Sequence, residues 1–563
     1  MPWRLSGSER RRRRLPDPAG PLDARLETLV QQRFDALMTR FPVYATYLGL
    51  HEHDGRLANG SREAVEQDIA DGRRFVAQLE ALDPADLSAE GRIEHELALF
   101  AARRQVFDDD VHRVWERRVS ATDDLGDGIF LLLARQSRPL EERLAAIASR
   151  LEAAPRLLAE HRTRLGDRPM RLWNELELEA ARSLPALFTE VVAAARSGVD
   201  DPDAHVARLE AASGAAETAL EDYSSWLREQ LGRADDDFAL GPDHYDELIE
   251  LRAFDGLGAA EILEVGLEQL DLYHAARRKV AAEIDPTTSE QQVLARVKSD
   301  HPADFDDALE AYRRAMGEAR QFMIERDIVS VPAGDSLTVI ATPEYLRRVV
   351  PFAAYFAPAR FERGSGGVYI VTPSVDGGGQ PMREHNYASI YNTSIHEAYP
   401  GHHVQLTFAN GHPSLTRVLV DAPEFVEGWA MYCEQMMREE GFDDSPEHRL
   451  MMYTDSIWRA CRIILDVRLH RREIGVADAI EFLVEHTGFE RPNAEAEVNR
   501  FTYTPTYQLS YLLGKVLMLR LRDDERTRLG DRFSLGDFHD SLLRQGSLPI
   551  SFQRRLLAAA EGA

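Results

Sequence analysis

The sequence predicts a mainly α-helical protein with two packed lobes, a central cleft and one small β-sheet. Three observations carry that prediction. Apolar residues recur at helical spacing over most of the 563 residues. Two short runs near 340 and 370 read instead as strands. No linker of domain-boundary character separates 21 from 563, so those residues form a single domain.

The elements follow in order. The run Arg10 to Arg14 leads into Leu15-Pro16-Asp17-Pro18 rather than an apolar core. Residues 1–20 therefore read as a disordered basic tail, not a secretory signal. Leu22, Leu26, Leu29, Val30, Phe34, Leu37 and Met38 mark one buried helix face. Similar patterns cover 90–105, 139–165, 172–196, 204–232 and 259–283, with breaks at Asp200-Asp201-Pro202 and Gly241-Pro242-Asp243. Leu337 to Thr342 and Gly367 to Thr372 each end at a proline and read as strands. They offer either a packing hairpin or an edge that an extended peptide could join. A loop with Gly377-Gly378-Gly379 follows. Helices are then expected over 387–410, 422–440, 446–473, 476–487 and 493–523, with a shorter one near 535–545.

Composition narrows the function. A formal charge of −28 argues against nucleic acid and against an anionic membrane surface. No stretch approaches the roughly 18 apolar residues of a membrane span. The two cysteines, Cys433 and Cys461, form no CxxC pair and read as buried thiols in a reducing compartment. The expected location is cytoplasmic. Oligomeric state, a homodimer included, stays open.

Chemistry concentrates in His396-Glu397-Ala398-Tyr399-Pro400-Gly401-His402-His403, three histidines and a glutamate in eight residues. A hydrolytic zinc site needs three protein ligands and a nearby carboxylate that takes a proton from water. On an unbroken helix His402 would lie about 120° round from His396, and His403 roughly 10 Å further along the axis. Pro400 removes an N–H and clashes with the preceding turn, while Gly401 tolerates unusual backbone angles. The helix should therefore break here, letting His402 take the place of the second histidine of an HExxH motif. His403 is the alternative, and whichever histidine is not the ligand could touch substrate. For the third ligand, Glu424 and Glu427 lie one turn apart. Glu427 sits between Phe425-Val426 and Trp429-Ala430, where an unpaired carboxylate is costly.

At these residues the sequence resembles the bacterial DUF885 family. His396-Glu397 through Val404-Gln405 and Glu427-Gly428-Trp429-Ala430 carry the likeness. So do Thr46 to Leu50, Asp54 to Leu57, Arg459 to Arg462 with Asp466 and His470, and Thr504-Pro505 through Tyr511 to Gly514. The resemblance implies a metallopeptidase-like fold related to M32 carboxypeptidases and, more distantly, to M3 oligopeptidases. It favours Glu427 over Glu424 and His402 over His403. One departure is Pro505-Thr506-Tyr507, where the family would be expected to show Pro-Gly-Gln.

The expected zinc ligands are thus His396, His402 and Glu427, with Glu397 as general base. Arg459, Arg462, Asp466 and His470 form a stripe on one helix. It is either a salt-bridged face or a wall on which Arg462 and Arg459 grip a peptide carboxylate. Tyr503, Tyr507 and Tyr511 recur at i+4 spacing, a pattern more common in cores. Related peptidases use such a hydroxyl on the oxyanion, so Tyr511 and then Tyr507 are the expected donors. The expected function is zinc-dependent hydrolysis of short or unfolded peptides. The alternatives are a zinc hydrolase of a non-peptide amide or ester, and an inactive peptidase fold that only binds.

Overall fold

A computed structural model describes residues 21–135, 138–342, 353–362, 364–373 and 382–560. The basic tail, Pro343 and the triple-glycine loop lie outside the described residues. The fold is mainly helical with one small sheet. Each expected helical segment contains helix, and further helices cover Arg62–Glu80, Ala121–Ala134, Pro242–Arg252 and Phe305–Glu325.

Three strands form the sheet: β1 (Leu337–Ala341), β2 (Ala353–Phe356) and β3 (Gly367–Val371). β3 is central, parallel to β1 and antiparallel to β2. The two strands read from sequence are therefore parallel neighbours, not a hairpin. β2, a four-residue run with no polar alternation, was not expected.

The sheet separates two apolar cores. Tyr369 and Val371 of β3 belong to the larger core, which gathers mostly residues from 245 onward. Ile370 points the other way, into a core built mostly from residues 119–227. Period-two alternation lets one strand serve both. β1 and β2 repeat the pattern: Val339 and Tyr355 pack on the larger core, Ile340 and Phe356 on the other.

One helical expectation is met, with its break, and one is corrected. The segment 387–410 is two helices, Tyr387–Glu397 and His402–Asn410, with the break at Pro400 that the sequence anticipated. The segment 493–523 is not continuous either. Arg491–Phe501 stops, Tyr507–Leu509 forms a 3-10 turn, and Leu512–Leu529 resumes. Pro505 has no N–H to give a helix, and Thr506 turns into the left-handed region at φ 68°. The i+4 spacing of the tyrosines therefore does not reflect a helix face.

Candidate metal centre

The site begins where a helix is stopped. Asn386 caps the Tyr387–Glu397 helix by accepting from the Ser389 N–H. The chain leaves it through a cis Tyr399–Pro400 peptide and re-enters a helix at His402. A Cβ on Gly401 would lie 1.9 Å from the His396 carbonyl oxygen, so only glycine fits that approach. The indole N–H of Trp429 donates to the Pro400 carbonyl at 2.8 Å. Trp429 stands two residues from Glu427, so this bond ties the break to the helix carrying the third candidate ligand. That helix, Pro423–Glu439, is itself pressed close to Leu512–Leu529. A Cβ on Gly428 would meet the Gly514 backbone at 2.5 Å.

His396, His402 and Glu427 consequently converge. The Glu427 Oε2 lies 3.4 Å from His402 Nε2 and 3.7 Å from His396 Nε2. The rings stand 4.8 Å apart at 88°, and one donor atom from each residue falls within 4.8 Å of the other two. Four ligands at 2.0–2.1 Å around a tetrahedral ion are about 3.3–3.4 Å from one another. The observed spacing and the N, N, O donor set both fit such an ion. Glu424 is turned away and pairs with Arg252 at 3.1 Å.

Electrostatics agree with the geometry. Burial opposes ionisation of Glu427, but the His402 and His396 imidazoles more than offset it and hold the carboxyl well below its ordinary range. Burial likewise opposes a charged His396, yet hydrogen bonds to Glu427 and Glu434 hold that ring well above its ordinary range. A dication would supply the positive charge that a proton supplies here.

Glu434 was missed from the sequence. Its Oε1 accepts from His396 Nδ1 at 2.7 Å, fixing the ring with Nε2 toward Glu427. Asn392 donates to its other oxygen at 3.2 Å. The available signal was spacing: Glu434 lies two helical turns past Glu427, on the same face.

His403 takes no part in this cluster. It is fully buried, with Nε2 at 3.0 Å from Asp335 and Nδ1 at 2.9 Å from the Tyr355 hydroxyl. Both nitrogens are engaged, which leaves none for substrate. Asp335 also accepts from Tyr399 and Arg320 at 2.9 Å each. Burial works against its ionisation, but these bonds bring it down to about 2.

Glu397, at the end of the His396 helix, is half-buried. Burial, then the charges of Tyr47 and Glu397, push the Tyr355 phenol up. The Tyr507 and Tyr511 hydroxyls come within 3.5 Å of each other. Burial keeps the Tyr507 phenol protonated, with Tyr511 and the Glu427 charge adding to the effect. Tyr507 also lines a cavity of about 580 Å³ with Trp115, Tyr503 and Pro505.

The stripe on Pro446–His470 faces inward. Arg462 gives Nε and Nη2 to Glu497 at 3.0 and 2.7 Å and lies over the Tyr511 ring. Arg459 is less engaged, 3.6 Å from Asp455 and stacked on Trp458. Asp466 and His470 are buried. Cys433 and Cys461 are free, buried thiols. No described helix is long and apolar enough to cross a membrane.

The profile of DUF885, described as a bacterial protein of unknown function, matches residues 42–557. No curated protein matches the chain. Two solved structures share its fold. One, from Shewanella oneidensis, is described as a "putative lipoprotein" of unknown function. It is 24% identical, with a TM-score of 0.76 over 95% of this chain and 99% of that one. The other, from Colwellia psychrerythraea and given the same description of lipoprotein, is 18% identical. Its TM-score is 0.84 over 96% of this chain and 99% of that one.

Proposed function

The chain belongs to the DUF885 family, and we propose that it is a zinc-dependent peptidase related to the M32 and M3 metallopeptidases. One observation carries the reading: the convergence of His396 Nε2, His402 Nε2 and a Glu427 oxygen at 3.4–3.7 Å. His396, His402 and Glu427 would hold the ion, and Glu434 would keep His396 in the ligating tautomer. When bound, the ion supplies Lewis acidity and lowers the pKa of water from about 15.7 towards about 7.

The remaining work falls to the chain. Glu397 takes the proton from water as it attacks the scissile carbonyl, then returns it to the leaving nitrogen. Tyr507, kept as a phenol by burial, and Tyr511, whose hydroxyl lies 3.5 Å from it, donate to the oxygen on which negative charge develops. Such a peptidase calls for a central cleft that would admit short or unfolded peptides and exclude folded ones; the cavity of about 580 Å³ is lined by Tyr507 but by none of the three candidate ligands. Arg459, the less engaged cation of the stripe, is available to a peptide carboxylate.

The test is Glu397→Gln, assayed on peptide, acylated amino-acid and ester substrates with the zinc content measured in parallel. The variant should keep its metal and lose about 10²–10⁴ in rate. A fully active variant would remove the mechanism, and esters cleaved in preference to peptides would move the substrate class.

A further inference from the structure

Asp466 is fully buried on the helix Pro446–His470, and among the described residues it has no ion pair. A buried carboxylate without a cation is costly, and Ile463, Leu465, Val467 and Leu469 around it on that helix are buried and apolar. Its partners explain its presence. Oδ1 accepts from the Tyr245 hydroxyl at 2.6 Å. The backbone N–H of Thr506 donates to both oxygens, at 2.9 and 3.1 Å.

Thr506 is the pivot of the segment between Phe501 and Leu512. It follows Pro505, which has no N–H, and it adopts φ 68° and ψ −15°. A β-branched residue rarely occupies that region unless something holds it there. The next residue is Tyr507, and Tyr511 stands at the entry of the following helix. Two more residues of the stripe grip the same segment. His470 Nε2 lies 2.9 Å from the Phe501 carbonyl, and Arg462 holds Glu497. His470 also stacks on Tyr245 with 6° between the rings.

We propose that Asp466 is a positioning residue: by binding the Thr506 N–H it sets the turn that brings the Tyr507 and Tyr511 hydroxyls together. The hold on the turn stands on its own geometry; its consequence for rate rests on the peptidase reading above. Arg462, Asp466 and His470 are then the mount of the tyrosine turn, and of the stripe Arg459 alone is left for a substrate carboxylate.

The experiment compares full-length wild type, Asp466→Leu and Asp466→Asn by amide hydrogen exchange, zinc content and steady-state peptide hydrolysis. Leucine removes both acceptors at similar volume, whereas asparagine keeps one. Asp466→Leu should raise exchange selectively across 502–511 and leave zinc content unchanged. It should lower kcat about 10²-fold, as loss of an aligned oxyanion donor does, with KM nearly constant. Asp466→Asn should recover part of both effects. In a Tyr507→Phe, Tyr511→Phe background, Asp466→Leu should cost no further kcat. Should the leucine variant fail to fold, Tyr245→Phe, which strips one partner from the carboxylate, makes the same comparison. Unchanged exchange across 502–511, or a kcat loss that adds in full to that of the tyrosine variants, would overturn the proposal. A zinc-loaded wild type that cleaves no peptide would sink only the peptidase reading, because the exchange data would still decide the hold on the turn.

Discussion

Glu177 and Glu427 are glutamates in the two different cores, and burial pushes both toward the protonated form. They end on opposite sides of the ordinary range. Glu177 accepts only from neutral donors: the Thr122 N–H and hydroxyl at 3.1 and 2.7 Å and the Tyr223 hydroxyl at 2.9 Å. Burial therefore prevails, with the Asp123 charge next, and its carboxyl rises to about 7. Glu427 faces two imidazoles, which outweigh the same burial and keep it ionised. One buried glutamate ties helices together and can be neutral. The other stays charged beside two nitrogens at ligand spacing, a grouping that stability alone does not require.

That contrast can be broken most directly at Glu427. Glu427→Gln should take the zinc content from one ion per chain to none and abolish hydrolysis with it. Glu177→Gln should leave both unchanged. Metal analysis and a peptide assay on the two purified variants check this. Equal metal content in both would erase the distinction.

The next effect is on stability and concerns the other member of the pair. The folded Glu177 carboxyl titrates near 7, against 4.5 ordinarily. The folded state thus holds a proton that the unfolded state has released. The folded state's gain is complete below about 4.5 and is lost as pH rises through 7. Glu177→Gln has no such dependence. Relative to it, wild type should lose about 3 kcal/mol between pH 4.5 and 8, readable from denaturant midpoints at several pH values. A constant difference would mean that the folded Glu177 carboxyl titrates no higher than the unfolded one.

The smallest effect sharpens the metal side. Glu434→Gln leaves the three donors in place but weakens the hold on His396, and should cost about 10–100-fold in zinc affinity. Competition with a chelator measures it. An unchanged affinity would make the 2.7 Å contact to His396 structural only.

What the sequence revealed was whatever depended on local spacing. Pro400 and Gly401 announce a break because their limits are intrinsic to each residue. That break allowed a later histidine to meet His396, and the resemblance to DUF885 favoured His402 over His403 and Glu427 over Glu424. Glu434 could not be anticipated, since its part depends on how two helices are phased against each other. Nor could Asp335, which meets His403 from 68 residues away. The tyrosines misled for a physical reason: a 3-10 turn between two helices happens to keep the i+4 spacing of one continuous helix. The Arg459–His470 stripe shares one face, as its spacing required, but what that face meets is the 497–506 segment, known only once the chain is folded.

Hydrolysis by this chain stands or falls with the metal centre. Zinc should be added to crystals of the wild-type protein and located by anomalous scattering. One ion is expected about 2.0–2.1 Å from His396 Nε2, His402 Nε2 and a Glu427 oxygen, with Glu434 still on His396 Nδ1. Zinc bound elsewhere, or these three side chains splayed with no ion between them, would contradict that centre.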